Sequence, residues 1–349
     1  MTGNRTITVY GAYGHTGRFV VAELRRRGWQ PILSGRDTAK LVAAAADHGD
    51  LGDHGDHGDL EMRPAAVDSP AALDRAMDGA AAVINCAGPF FHTAAPVIEA
   101  ALRARIPYLD VAAEIEAVAD TFAHYDDRAR DAGVVIVPAM AFYGGLGDLL
   151  ATAAMQGWSS ADEITIAYAL DSWKPTLGTR AAGQVSRRRR QGRRIVYTNG
   201  RMELRTDEAP IVDWDFPAPT GTQKVLAEFT MADSVTIPRH LVTPEIRTYM
   251  TMTAVDDVTD PDLPPPTPAD ESGRSPQTFL VDVVARSGTE ERRALAGGRD
   301  IYAISAPLVV EGAERILDGL VTPTGALTAG QAFDAPAFLA ALPLDHLSL

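Results

Sequence analysis

A chain of 349 residues, 46% of them apolar, is long enough to build more than one core, so two domains are the default organisation. Its net charge of −14 argues against general affinity for nucleic acid, and a single cysteine, Cys86, excludes an internal disulfide or a thiolate metal cluster. No apolar run approaches the roughly 18 residues needed to cross a bilayer, and the first strand begins within about six residues of the start, which predicts a cytoplasmic protein without a membrane span.

The run ITVYGAYGHTG predicts a strand over Thr6–Tyr10 that breaks into three glycines and then into a helix over 18–27, closed by Gly28. Such a strand–turn–helix is a dinucleotide site: Gly11 allows the tight turn, Gly14 admits a pyrophosphate to the backbone N–H groups, and Gly17 lets helix and strand pack closely. Tyr13, His15 and Thr16 complete the expected cofactor loop. The second strand, 31–34, ends in SGRD. A carboxylate there would hold the ribose 2′-hydroxyl of NAD, whereas this chain has Ser34, Gly35 and Arg36, and a guanidinium grips a 2′-phosphate. NADP(H) is the predicted cofactor. Asp37 is expected to cap the following helix, and Lys40 is a second candidate for the phosphate.

Residues 47–59 repeat glycine at every third position, which predicts a flexible insertion. It carries His48, His54 and His57, but a loose loop must be ordered to converge metal ligands, so no metal site is expected. The alternation then resumes. A strand is expected over 60–67, a helix over Pro70–Met77, a strand over 81–86, a helix over 93–105, a strand over 108–111, a helix over Ile115–Ala132 and a strand over 134–137. The pattern predicts a doubly wound parallel sheet whose ligands bind beyond the strand C-termini. That places Asn85, Cys86, Ala87, Gly88 and Pro89 on the cofactor face, with Asn85 bonded to ribose or backbone, Cys86 a small apolar filler, and Phe90 and Phe91 either walling the nicotinamide or in the core.

A helix over 147–158 is expected to lead into a second, α+β domain on a largely antiparallel sheet, with strands at Glu163–Leu170, 194–200, 225–229, 245–252 and 278–286. Residues 262–277 are proline-rich loop, and helices return at 307–317 and 335–342. The predicted domains are 1–145, 146–306 and a C-terminal 307–349 packing back on the first.

The strings GAYGHTG, SGR, NCAGPF, YLDVAAE and the closing GRDIYAISA…GALTAGQAFDAPAFLAAL resemble the saccharopine-dehydrogenase-like NAD(P)-dependent oxidoreductase family, closely over the first 150 residues and moderately over the last 50. The resemblance implies an NADP-binding Rossmann domain, a second domain on a mixed or antiparallel sheet, and a reductase or dehydrogenase. Family reactions include reductive C–N bond formation in amino acids and enoyl reduction of carrier- or lipid-bound chains. Asp300 and Tyr302 stand at positions resembling the family's.

Hydride transfer also moves a proton, and five residues qualify as its donor: His92, Asp110, Glu114, Tyr143 and His240. With one cysteine, only three lysines (Lys40, Lys174 and Lys224) and no rigid ligand spacing, a metal-free, non-covalent route is expected. Six arginines within 187–194 read either as a solvated helix end or as a dock for an acidic carrier or phosphate-bearing substrate. The sequence thus predicts an NADPH-dependent reductase of a C=N or C=C bond in a small-molecule or carrier-bound substrate, working as a homodimer. A non-catalytic NADP-binding regulator is the alternative.

Overall fold

The computed structural model describes residues 5–49 and 60–349. Residues 50–59, which carry most of the triplet repeat with His54 and His57, lie outside the described residues. The chain divides into two compact units. One comprises Met1–Ala112, Glu116–Ala141 and Ser305–Leu327; the other comprises Ala113–Ile115, Phe142–Ile304 and Thr328–Leu349.

In the first unit strands and helices alternate: β1 (Thr6–Tyr10), α1 (His15–Arg26), β2 (Gln30–Gly35), α2 (Thr38–Gly49), β3 (Met62–Pro64), α3 (Pro70–Met77), β4 (Ala82–Asn85), α4 (Phe90–Ala104), β5 (Tyr108–Asp110), α5 (Ile115–Ala132) and β6 (Val135–Val137). Residues 7 to 10 are buried, as are all of β4, β5 and β6, because helices cover both faces of a parallel sheet. α1 starts earlier than its apolar pattern implies, because its first turn grows directly out of the glycine loop. α4 likewise starts at Phe90 rather than 93, which puts Phe90 in the core and leaves Phe91 44% exposed.

The second unit contains α6 (Gly147–Ala154), β7 (Glu163–Leu170), α7 (Leu177–Arg189), β8 (Arg194–Thr198), β9 (Arg201–Arg205), β10 (Ile211–Asp215), β11 (Thr222–Leu226), α8 (Asp233–Thr236), β12 (Ile246–Thr251), α9 (Met252–Thr259), β13 (Thr278–Ser287) and β14 (Glu290–Arg299). The tail adds α10 (Ser305–Leu317), β15 (Gly325–Ala326), α11 (Ala329–Ala332), α12 (Ala335–Ala340) and β16 (His346–Ser348).

Among the described residues the first sheet has seven strands, all parallel, in the order β15-β6-β5-β4-β1-β2-β3. The second has nine, ordered β10-β11-β12-β7-β13-β14-β16, with β8 joining β12 to β9. Only β12 and β7 pair in parallel; the other pairs are antiparallel. A Rossmann parallel sheet and a second, largely antiparallel α+β unit are therefore both present, as the sequence predicts.

The tail, expected to extend the first domain as a whole, divides instead. β15 pairs with β6, and α10 is tied to α1 by Arg27, which reaches Glu23, Glu311 and Glu314. Residues from Thr328 onward belong to the second unit, where β16 pairs with β14 and α12 packs on α6.

Candidate cofactor site

The cofactor cradle is built by the first unit alone. Gly11 has φ +85°, and a Cβ there would sit 2.8 Å from the backbone nitrogen of Ala87. A Cβ on Gly17 would sit 2.2 Å from the Gly11 carbonyl oxygen, so α1 can pack only as close as it does because residue 17 has no side chain. The carbonyl of Ser34 accepts from the N–H groups of Gly11 (2.8 Å) and Ala12 (3.2 Å), pinning the turn to the end of β2. No side chain caps the N-terminus of α1, and its first turn holds no acidic residue. That helix end presents free N–H donors and positive dipole potential, as a pyrophosphate requires.

At the end of β2, Arg36 is exposed and forms no ion pair or hydrogen bond with another described residue. Asp37, the residue that could be mistaken for a ribose acid, accepts from the backbone N–H of Lys40 at 3.1 Å, the capping role expected of it. The Tyr13 ring lies against Gly35, and Lys40 Nζ stands 5.8 Å over that ring. The Ser34 hydroxyl faces away from this surface: it is buried and donates to the Arg63 carbonyl at 2.8 Å. Arg36 is thus a cation at the strand end, beside an Asp37 engaged in its capping bond.

Asn85 and Asp110 belong to one buried network rather than to open positions. They are register partners on β4 and β5, with Tyr108 between them. The Asn85 amide donates to the Tyr108 hydroxyl at 3.1 Å and accepts from the Ala87 N–H at 3.0 Å; the Tyr108 hydroxyl donates to Asp110 Oδ2 at 2.8 Å. Asp110 Oδ1 then accepts from the N–H groups of Ala112 (3.0 Å) and Ala139 (2.8 Å). Burial raises the Asp110 carboxyl to about 6 against the lowering effect of these donors. With Asn85 at 0% and Asp110 at 1% exposure, the pair shapes the loops after β4, β5 and β6; of the ribose or backbone bond expected of Asn85, the backbone bond, to Ala87, is present. Tyr108 was missed because an aromatic residue inside a short apolar strand reads as core; the alternation of 108 and 110 on one face was the available signal.

Cys86 is half-buried, and burial, then the charge of Asp110, pushes its thiol well above the usual range. Gly88 and Pro89 carry the loop, through a cis peptide bond, to α4. There His92 is exposed on the first turn, its ring edge-on to Phe91 with centroids 4.9 Å apart. His15 opens α1 with its ring edge-on to Phe19, and Thr16 follows it half-buried.

The remaining expected proton donors lie in the second unit. Glu114 is buried. Tyr143 is 5% exposed in an aromatic cluster with Phe142, Tyr168 and Trp173; its hydroxyl has no hydrogen-bond partner, and burial raises it well above the usual phenol range. His240 is enclosed. Nε2 lies 2.9 Å from the Thr152 hydroxyl and 3.6 Å from Asp148, Nδ1 lies 3.3 Å from the Thr328 hydroxyl, and a Cβ on Gly330 would fall 2.3 Å from Nε2. With both ring nitrogens engaged and the ring packed on backbone, His240 orders this corner of the unit. Asp300 accepts from the N–H groups of Ser275, Tyr302 and Ala303, and the Tyr302 hydroxyl accepts from Trp173 Nε1 at 3.1 Å, which makes both structural here.

In the arginine cluster, Arg194 bonds the Asp207 carbonyl and Glu228, while Arg187 to Arg189 are exposed at the C-terminal end of α7, where cations complement the helix dipole. Among the described residues no group of three or more His, Cys, Asp or Glu side chains is placed to hold a metal, and no helix is long and apolar enough to cross a membrane.

Glycine cradle, uncapped helix end and strand-end arginine together define a Rossmann dinucleotide-binding unit of the NADP type. Residues 7–137 match the family model described as the saccharopine dehydrogenase NADP binding domain, and NADP(H) is the cofactor of this unit. The saccharopine dehydrogenase-like oxidoreductase of Bos taurus is 27% identical over 145 residues, covering 39% of this chain and 34% of the relative. A relative of Arabidopsis thaliana, described as mitochondrial, is 28% identical over 144 residues, 39% of this chain and 31% of its own length. The match thus spans about a third of the length of these curated relatives. Apo saccharopine dehydrogenase (L-Glu forming) from Saccharomyces cerevisiae shares the fold, with TM-score 0.65 and 10% identity over 99% of this chain and 100% of that one. The N-terminal part of the chain is similar to the saccharopine dehydrogenase-like oxidoreductases, as its motifs imply.

Proposed function

We propose that this protein is an NADPH-dependent reductase that delivers hydride to the carbon of a C=N bond in a small-molecule substrate, without metal or covalent intermediate. The observation that carries the cofactor half is Arg36, an exposed guanidinium at the strand end beside the glycine cradle that forms no ion pair or hydrogen bond with another described residue. When bound, the nicotinamide supplies the hydride. The chain's part is to hold the pyrophosphate on the N–H groups of the 11–17 loop, to clamp the 2′-phosphate with Arg36, and to furnish a proton to the nitrogen. His92 is the residue we assign to that proton: of the five expected donors it alone is exposed, on the first turn of α4. An imidazole can both give and regain a proton.

We put C=N ahead of C=C reduction as the first reaction to test, since the resemblance implies both reductive C–N bond formation and enoyl reduction. The test is NADPH oxidation against two panels, 2-oxo acids paired with amines and enoyl thioesters, with wild type and His92→Asn. Turnover on the first panel, lost about 100-fold in His92→Asn with NADPH affinity unchanged, is the expected outcome. Tight NADPH binding with turnover on neither panel would favour the regulator instead.

The proposal extends to a cytosolic homodimer. Support for the dimer comes from Met202, Leu204, Ile211 and Val212, which stand 37–54% exposed on β9 and β10 at the margins of the second sheet. Sedimentation of wild type against Leu204→Glu tests it. The exposed Arg187 to Arg189 support docking of an acidic carrier; their replacement by Gln should then raise KM and flatten its salt dependence.

A further inference from the structure

The second unit contains a cavity of about 300 Å³. Its walls come from the turn after β7, with Ser172, Trp173 and Lys174, and from the proline-rich segment before β13, with Pro266, Pro276 and Gln277. The composition of this wall is uneven. Trp173 and the prolines make most of it apolar and rigid, and among the described residues Lys174 is the only charged side chain lining it.

Two nitrogens of residues lining the cavity, Gln277 Nε2 and Lys174 Nζ, have no partner among the described residues. Gln277 is 7% exposed; its Oε1 accepts from the Ile301 N–H at 3.0 Å, but Nε2 is buried with no hydrogen-bond partner. A buried amide N–H₂ left unpaired is unfavourable, so its retention points to a partner that arrives from outside. Lys174 is half-buried and forms no ion pair or side-chain hydrogen bond with another described residue, although the protein carries an excess of acids. The carboxylates of this region are engaged by other parts of the chain. Asp257 takes the Trp173 N–H, Asp171 takes Thr278, and Asp300 takes Ser275.

We infer that this cavity is a binding site for a small organic acid. Its carboxylate bridges the Lys174 ammonium and the Gln277 amide, and its apolar body lies on Trp173 and the prolines. An ammonium and a neutral amide match the two oxygens and single charge of a carboxylate, whereas inorganic phosphate would need more positive charge and offers nothing to the apolar wall. The inference does not depend on the reductase reading.

The test uses the full chain and titrates benzoate, hexanoate, their neutral amides and inorganic phosphate, followed by tryptophan fluorescence and calorimetry. The acids should bind at least about tenfold more tightly than the amides, and Lys174→Met should remove that difference. Gln277→Glu keeps the acceptor for Ile301 and turns the donor into a repelling oxygen, so acid binding should fall at least about tenfold. NADPH affinity and melting temperature, unchanged in both variants, show that the fold and the cofactor site are intact. Equal binding of acid and amide, displacement of the acids by phosphate, no saturable binding of either acid, or wild-type affinity in both folded variants would each overturn the site while leaving the cofactor assignment standing.

Discussion

The ring of Tyr13 rests on the backbone of Gly35: a Cβ built at residue 35 would sit 2.7 Å from Cε1 of the tyrosine. The glycine loop after β1 and the end of β2 are therefore keyed to one another at the point where Arg36 leaves the sheet. Gly35→Ala must displace the ring, with an overpacking effect of about 1–3 kcal/mol on stability and weaker NADPH binding. Tyr13→Ala in the same chain should recover the stability. Thermal melts of both variants and the double variant, with an NADPH titration of each, check this.

Arg36 sets cofactor preference. Wild type should bind NADPH at least about tenfold more tightly than NADH, and Arg36→Ala should lose about one to two decades of NADPH affinity with little change for NADH, the equivalent of one charge-assisted bidentate contact. Titration of both nucleotides by nicotinamide fluorescence is the measurement, and equal affinities in wild type would defeat the assignment.

Arg27 is surrounded by three carboxylates, with Glu23 at 2.7 Å, Glu311 at 2.6 Å and Glu314 in contact, while Trp29 donates to Glu314. Its side chain is 13% exposed, so the group is poorly screened by salt. Arg27→Ala leaves like charges facing each other and should destabilise the first unit by about 2–4 kcal/mol. Adding Glu311→Gln and Glu314→Gln should restore much of it. Urea unfolding at low and high salt reads out both effects.

Asp233 is fully buried. Burial raises its carboxyl to about 6, against the lowering effect of its contacts with Tyr168 and the Gly144 N–H, which reaches Oδ1 at 3.1 Å. Below the unfolded value near 4 both states hold the proton. Between about 4 and 6 the unfolded chain has released it while the folded chain retains it. Stability therefore falls as pH rises through that window, by up to about 3 kcal/mol from this group. Asp233→Asn can keep the Gly144 contact and should raise the melting temperature at pH 7.5 while changing it little at pH 4. Asp110, also raised to about 6, leaves a residual slope in that variant. Scanning calorimetry across pH 4–8 tests the sign.

The sequence by itself determined the elements whose signal is local. β1, α3, α5 and β7 have the predicted bounds because each is a clean apolar run or a 3.6-residue pattern between strong breakers. The glycine spacing and the missing strand-end acid named the cofactor for the same reason: backbone reach and charge at one loop need no distant partner. Where the outcome hung on remote neighbours, only the tertiary structure decided. α7 and β14 carry too many arginines and acids for an apolar pattern, and β14 exists because Gly288 turns β13 back on itself in register. β11 lies at 222–226 rather than 225–229 because its pairing with β10 sets its ends and Glu228 adopts φ +58°. The division of the tail was invisible for the same reason, since Arg27 meets Glu311 across 284 positions. Asn85 and Asp110 have the composition of site residues, and their withdrawal into a network rests on strand register and on a burial that no sequence window contains. Physically, propensity and spacing act over a few residues, whereas desolvation and hydrogen-bond completion depend on which distant groups the fold brings within reach.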